Sequence, residues 1–94
     1  MDKKAVHREA VRLADLPYKI VLRRGISHGK PGGYVVSHPE LPYCRSDGRT
    51  REEALEMARD ARIGWITVGL ERGVSIPLPK AMKRPRAIAA RREA

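Results

Sequence analysis

The sequence predicts an α+β domain: a short N-terminal helix, then a three-stranded antiparallel sheet packed against one long helix. Three observations carry that prediction. Apolar residues recur at helical spacing from Ala54 to Val68. Two short runs with strand character, YKIVLRR and GYVVS, flank a glycine-rich stretch. Prolines and glycines punctuate the joints between these elements.

Ninety-four residues make one domain. With one Trp, three Tyr and no Phe, aliphatic and Ala side chains must fill the core. So modest a core favours association with a partner or with a second copy, and oligomerisation is expected.

Asp2 to Leu16 is predicted as a helix because Val6, Ala10 and Leu13 fall at i, i+4 and i+7. Pro17 stops it, so residues 1–17 form an N-terminal helical segment. Tyr18 to Arg24 comes next as a strand, with Tyr18, Ile20 and Leu22 on one face. GISHGKPGG, carrying Gly25, Gly29, Gly32 and Gly33, is predicted as a hairpin loop. A phosphate-cradling loop needs Gly-Lys-Ser/Thr opening a helix; Gly29-Lys30 is followed by Pro31 and a strand, which argues against that chemistry. Gly33 to Ser37 is the second strand. Pro39 and Pro42 forbid a continuous central strand, so a short third strand is expected to start around Tyr43.

Thr50 opens the long helix. Thr50-Arg51-Glu52-Glu53 fits a capping box, in which the Thr hydroxyl and the Glu carboxylate each accept from an orphan backbone N–H. Ala54, Ala58, Ala61, Trp65 and Val68 form the main apolar stripe, flanked by Met57 and Gly69, and Gly73 is placed to end the helix. Ile63, Ile66 and Leu70 extend the apolar surface beyond what one sheet needs and are predicted as an oligomer contact. Glu53, Glu56, Asp60 and Glu71 share another face, an acidic strip. Ser75 to Pro79, SIPLP, is predicted as an edge segment because of its prolines.

Chemistry is sparse. Cys44 has His38 six residues before it, but two prolines intervene and no third group orients the pair, so a small apolar thiol at a strand start is the simpler reading. One Cys with His7, His28 and His38 shows no paired spacing for zinc, and no metal or other cofactor is expected. The first two strands carry no carboxylate for metal-assisted nuclease chemistry, so no catalytic residue is assigned. A single Cys excludes an internal disulfide and fits a reducing cytosol. The first sixteen residues are too charged for a secretory leader, and no run of about eighteen apolar residues is present to span a membrane. A cytoplasmic location with no membrane partner is expected.

The chain carries a net charge of +9, unevenly spread. Residues 80–94, a basic C-terminal tail, hold six Lys or Arg against one Glu and contribute +5. Lys80, Lys83, Arg84, Arg86, Arg91 and Arg92 could hold nucleic acid through phosphate charge alone, without sequence preference.

The order of YKIVL, a glycine-rich loop, GYVVSHPELPYCRSDGRTREEALEMARDA and ERGVSIPLP resembles the HicB-like antitoxins of type II toxin–antitoxin systems. The resemblance covers residues 18–79. It rests on Tyr34, the Pro39-x-Leu41-Pro42 segment, Cys44, the Gly48-x-Thr50 turn, Glu52-Glu53-Ala54, Gly73 and the Ile76-Pro77-x-Pro79 tail. It implies a partial ribonuclease-H-like fold without the nuclease's metal-binding carboxylates. It also implies a non-enzymatic antitoxin, a homo-oligomer (dimer or tetramer), that binds a small basic HicA-type toxin, an mRNA-cleaving protein, and masks its catalytic histidine. Glu53, Glu56 and Asp60 would be the toxin-binding contacts. In many members a C-terminal DNA-binding domain follows; this chain ends at Ala94, so a stand-alone form without autoregulation is expected. An antitoxin for a basic toxin is ordinarily acidic, and here only the strip on the long helix offers local complementarity. The alternative is an orphan oligomer that binds nucleic acid through its tail.

Overall fold

A computed structural model describes residues 2–82. The elements run α1 (Lys3–Ala14), β1 (Val21–Ser27), β2 (Lys30–Ser37), β3 (Arg45–Gly48), α2 (Arg51–Glu71) and a final 3-10 turn (Lys80–Met82). The strands form an antiparallel meander in the order β1-β2-β3, as an α+β architecture. α2 packs on one face of the sheet and α1 packs against α2.

α1 forms as its stripe predicts. Asp2 caps it by accepting from Ala5 N at 2.7 Å, and Val6, Ala10, Leu13 and Ala14 are buried. β1 begins later than the alternation of YKIVLRR suggests. Tyr18 is buried but lies before the strand, its hydroxyl donating to Pro77 O at 2.5 Å, and Lys19 N donates to Glu40 Oε1 at 2.7 Å. These outside partners hold the approach segment, and Ile20 is left 41% exposed.

The hairpin is much tighter than a nine-residue loop. Only His28 and Gly29 turn, with φ of 55° and 75°, the two left-handed residues a type I′ turn requires. β2 therefore starts at Lys30 and includes Pro31. The proline is tolerated because pairing steps from Gly25↔Gly33 to Ser27↔Lys30, a bulge that leaves β2 one residue longer there. β3 starts at Arg45, not at Tyr43. Tyr43 stands at φ 65° and Cys44 N donates back to Leu41 O at 3.0 Å, so the chain is still turning at that point.

Thr50 caps α2 by accepting from Glu53 N at 3.0 Å, and Glu53 Oε1 accepts in return from Arg49 N at 2.6 Å. The reciprocal bond of the capping box thus reaches one residue further back than the motif suggests. At the other end Gly73, φ 71°, closes a Schellman motif: Val74 N donates to Gly69 O at 2.9 Å and Gly73 N to Leu70 O at 3.1 Å.

The buried stripe of α2 is Ala54, Ala58, Arg62 and Ile66, which departs from the predicted one after its first turns. Ala54 and Ala58 meet Val36 of β2. Farther along, the helix leaves the sheet and meets α1, so Ile66 turns inward while Val68 is 48% exposed. This removes Ile66, which is fully buried, from the oligomer contact expected at Ile63, Ile66 and Leu70; Ile63 and Leu70 are half-buried against the same core. Ser75–Pro79 is no strand; it runs beneath Tyr18, and Lys80 N donates to Glu40 Oε2 at 2.5 Å.

Candidate protein-binding surface

The Cys44–His38 neighbourhood is where sequence chemistry was most worth testing, and it is structural. His38 Nδ1 lies 2.8 Å from Cys44 O. A carbonyl only accepts, so Nδ1 carries the proton and Nε2 is left as an acceptor. Arg62 Nη1 fills that role as donor at 3.1 Å, while Arg62 Nε donates to Ala14 O at 2.8 Å. One buried chain of bonds thus joins α1, α2 and the approach to β3. Burial pushes the Cys44 thiol above its ordinary range, with Arg62 opposing, which disfavours the thiolate in this core position. Among the described residues, no group of three or more His, Cys, Asp or Glu is arranged to hold a metal ion.

Arg62 is the residue that sequence reasoning missed. It occupies a core position four residues after Ala58 and four before Ile66, and that spacing was the available signal. A long cationic side chain in an apolar register marks a buried head group with partners waiting for it.

The acidic strip divides into engaged and unengaged members. Glu53 is consumed locally: it completes the cap and stands 3.6 Å from His28 Nε2. Glu56 and Asp60 are exposed and make no ion pair among the described residues. Asp60 lines a cleft with His28, Asp47, Glu53 and Met57, whereas Glu56 lies outside it. Arg45 lines the same cleft, and the Arg59 pKa is raised first by its bond to Asp15 and also by the charge of Asp60, so cations stand near the strip without a close ion pair to Glu56 or Asp60.

Beside it runs an apolar groove along α2, walled by Ala61, Gly64, Trp65 and Val68 on the helix and by Arg45 of β3. Val74 and Ile76 close its far side. Trp65 Nε1 donates to Pro42 O at 2.9 Å, which fixes the loop that carries Tyr43. Tyr43 is 97% exposed, an aromatic ring held out in solvent on a left-handed residue. Of the tail residues named as a nucleic-acid contact, Lys80 is in the 3-10 turn; Lys83, Arg84, Arg86, Arg91 and Arg92 lie outside the described residues.

Known proteins resemble the chain in its sequence. The profile of a family described as HicB_like antitoxin of bacterial toxin-antitoxin system matches residues 18–91. Antitoxin HicB 1 of Photorhabdus laumondii is 52% identical over 48 residues, which make up 51% of this chain and 31% of that protein. The chain thus aligns with less than a third of that relative's length. No solved structure matches.

Proposed function

The chain belongs to the HicB-like antitoxins of bacterial toxin–antitoxin systems, and from that premise we infer that it is a non-enzymatic module that binds and neutralises a small, basic, mRNA-cleaving toxin of the HicA type. The observation that carries this reading is the pair Glu56 and Asp60, exposed carboxylates that make no ion pair among the described residues, on a chain of net charge +9. A basic partner is repelled by the chain as a whole, so its approach must be steered locally, and Glu56 and Asp60 are the exposed carboxylates that would steer it. Glu53 belongs to the same face, with its carboxylate already committed to the cap.

Co-expression with a small basic protein encoded beside it, where the neighbouring reading frame specifies one, is the test. The two proteins should co-purify, and the complex should leave messenger RNA intact where the partner alone cleaves it. Reversing both Glu56 and Asp60 to Lys should weaken the complex about tenfold or more while leaving the melting temperature of the isolated chain unchanged. Unaltered affinity would remove this surface from the interface. A partner that fails to bind the unmodified chain would reject the antitoxin mechanism itself.

A further inference from the structure

α2 covers one face of the sheet. Leu22, Tyr34 and Val36 turn toward Ala54 and Ala58 of the helix, and Ser46 Oγ donates to Ala54 O at 3.2 Å. The residues that alternate with these look the other way: Val21 and Arg23 on β1, Val35 and Ser37 on β2, Arg45 on β3. On that face Val21, Val35 and Ser37 are half-buried and both arginines are exposed.

The register sets these side chains in a small array. Arg23 pairs with Val35, while Ser37 pairs with Val21 on one side and Arg45 on the other. The two arginines therefore stand diagonally across β2, with the Ser37 hydroxyl and the Val35 methyls between them. They line one cleft of about 340 Å³, which Tyr43 shares. Neither arginine makes an ion pair among the described residues. Asp47, which also pairs with Val35, does not line the cleft, and its carboxylate accepts from His28 N at 3.3 Å. Two guanidiniums across one cleft repel each other, and an oxyanion between them turns that repulsion into charge-assisted hydrogen bonds.

Tyr43 supplies the second half of the site. Of the three tyrosines, Tyr18 is buried, and Tyr34 carries Arg24 and Arg51 over its ring, 5.5 and 5.7 Å from the centroid. Tyr43 instead holds its ring out, 97% exposed, at a φ of 65° that a residue with a Cβ rarely adopts. Neither burial nor backbone preference accounts for an aromatic residue there. The loop is nonetheless fixed, since Trp65 Nε1 donates to Pro42 O and Cys44 N to Leu41 O. A ring on so fixed a backbone has little ordering entropy left to lose when a flat group stacks on it.

An oxyanion between two guanidiniums, with a flat group one step away, describes a backbone phosphate and its neighbouring base. Stacking on a side chain needs a base that is not already paired, so the strand must be single. We propose that this face of the sheet binds single-stranded RNA, with one phosphate between Arg23 and Arg45, a base on the Tyr43 ring and the Ser37 hydroxyl toward the ribose. The site does not draw on residues 83–94. The choice of RNA over DNA rests on the antitoxin reading, because the partner inferred there acts on messenger RNA; the cleft itself does not.

Fluorescence anisotropy of the full chain, without any partner, and an end-labelled single-stranded oligouridylate tests it. Tyr43→Ala should weaken binding of the single strand about fivefold or more and leave binding of an RNA duplex unchanged, and Tyr43→Phe should retain both. Arg23→Gln and Arg45→Gln should each weaken binding, and each should make the log–log salt dependence shallower by about 0.7. All three side chains are exposed, so the melting temperatures of these variants should stay at that of the unmodified chain. Binding indifferent to both Tyr43→Ala and the double variant R23Q/R45Q overturns the proposal, because charge elsewhere on the chain then holds the RNA. A chain that binds no single strand at low salt overturns it too, and tighter binding of oligothymidylate than of oligouridylate overturns the choice of RNA. Failure here leaves the antitoxin reading standing, and failure to co-purify with a toxin leaves this measurement unaffected.

Discussion

Arg62 Nη1 lies 3.1 Å from His38 Nε2, so two basic side chains meet in the interior with the imidazole held neutral between the guanidinium and the Cys44 carbonyl. Burial is the main reason that His38 sits below its ordinary pKa of 6.5; the Cys44 carbonyl opposes the shift and the Arg62 charge adds to it. Protonation would put a second positive charge against Arg62 and take away the acceptor that Arg62 uses.

The unfolded chain therefore binds a proton at this site more readily than the folded one. Stability should be full above pH 6.5 and fall as the pH drops below it toward the folded value. Melting temperatures measured between about pH 7.5 and 5 should show this decline in the unmodified chain. The decline should be smaller in His38→Gln. The carboxylates of Glu9, Asp15 and Glu40 are all lowered from 4.5 or 3.8, so their contribution is lost only in more acid solution.

Removing the buried guanidinium should be costly, because its partners lose their only protein donor among the described residues. Arg62→Met keeps the apolar stem but leaves Ala14 O and His38 Nε2 without their donor, and urea denaturation at neutral pH should show a loss of about 2 kcal/mol. Arg59→Met breaks a pair with Asp15 at 2.9 Å on the surface, and should change stability little.

Two glycines near α2 should respond in opposite directions to alanine. At Gly48 an added Cβ runs into the Ala54 backbone where β3 crosses under α2, so Gly48→Ala should destabilise by about 1–3 kcal/mol. At Gly64 the space is open, and Gly64→Ala should stabilise the dilute chain by about 0.5–1 kcal/mol. Chemical denaturation of both variants checks the pair.

Glu40 holds two distant backbone amides, Lys19 N at 2.7 Å and Lys80 N at 2.5 Å. Those bonds, Lys19's first, depress its pKa below 4.5, so the clasp is intact above that value and opens as the pH falls through the folded one. Glu40→Ala should expose residues 72–80 to limited proteolysis at neutral pH, with α2 itself remaining resistant.

The features legible in the sequence are those decided by neighbours along the chain. The Thr50 cap, the Gly73 stop and the Val6–Ala10–Leu13 stripe are local, and each forms where its residues predict. Features decided across the chain were not legible. Tyr18 alternates like a strand residue, yet Pro77 and the neighbouring Glu40 clasp hold the approach to β1 outside the sheet. The hairpin was hidden because His28, not a second glycine, takes the first left-handed position. In the candidate surface, Glu53 reads the same as Glu56 by spacing, and only the folded cap separates the committed carboxylate from the uncommitted one.

Because one carboxylate grips both Lys19 N and Lys80 N, the chain enters and leaves its sheet-and-helix unit at the same corner. The corner is a two-way tie: α1, which packs on α2, joins the sheet through it, and the segment after α2 returns to it, so one side-chain carboxylate couples both crossings between the helical layer and the sheet.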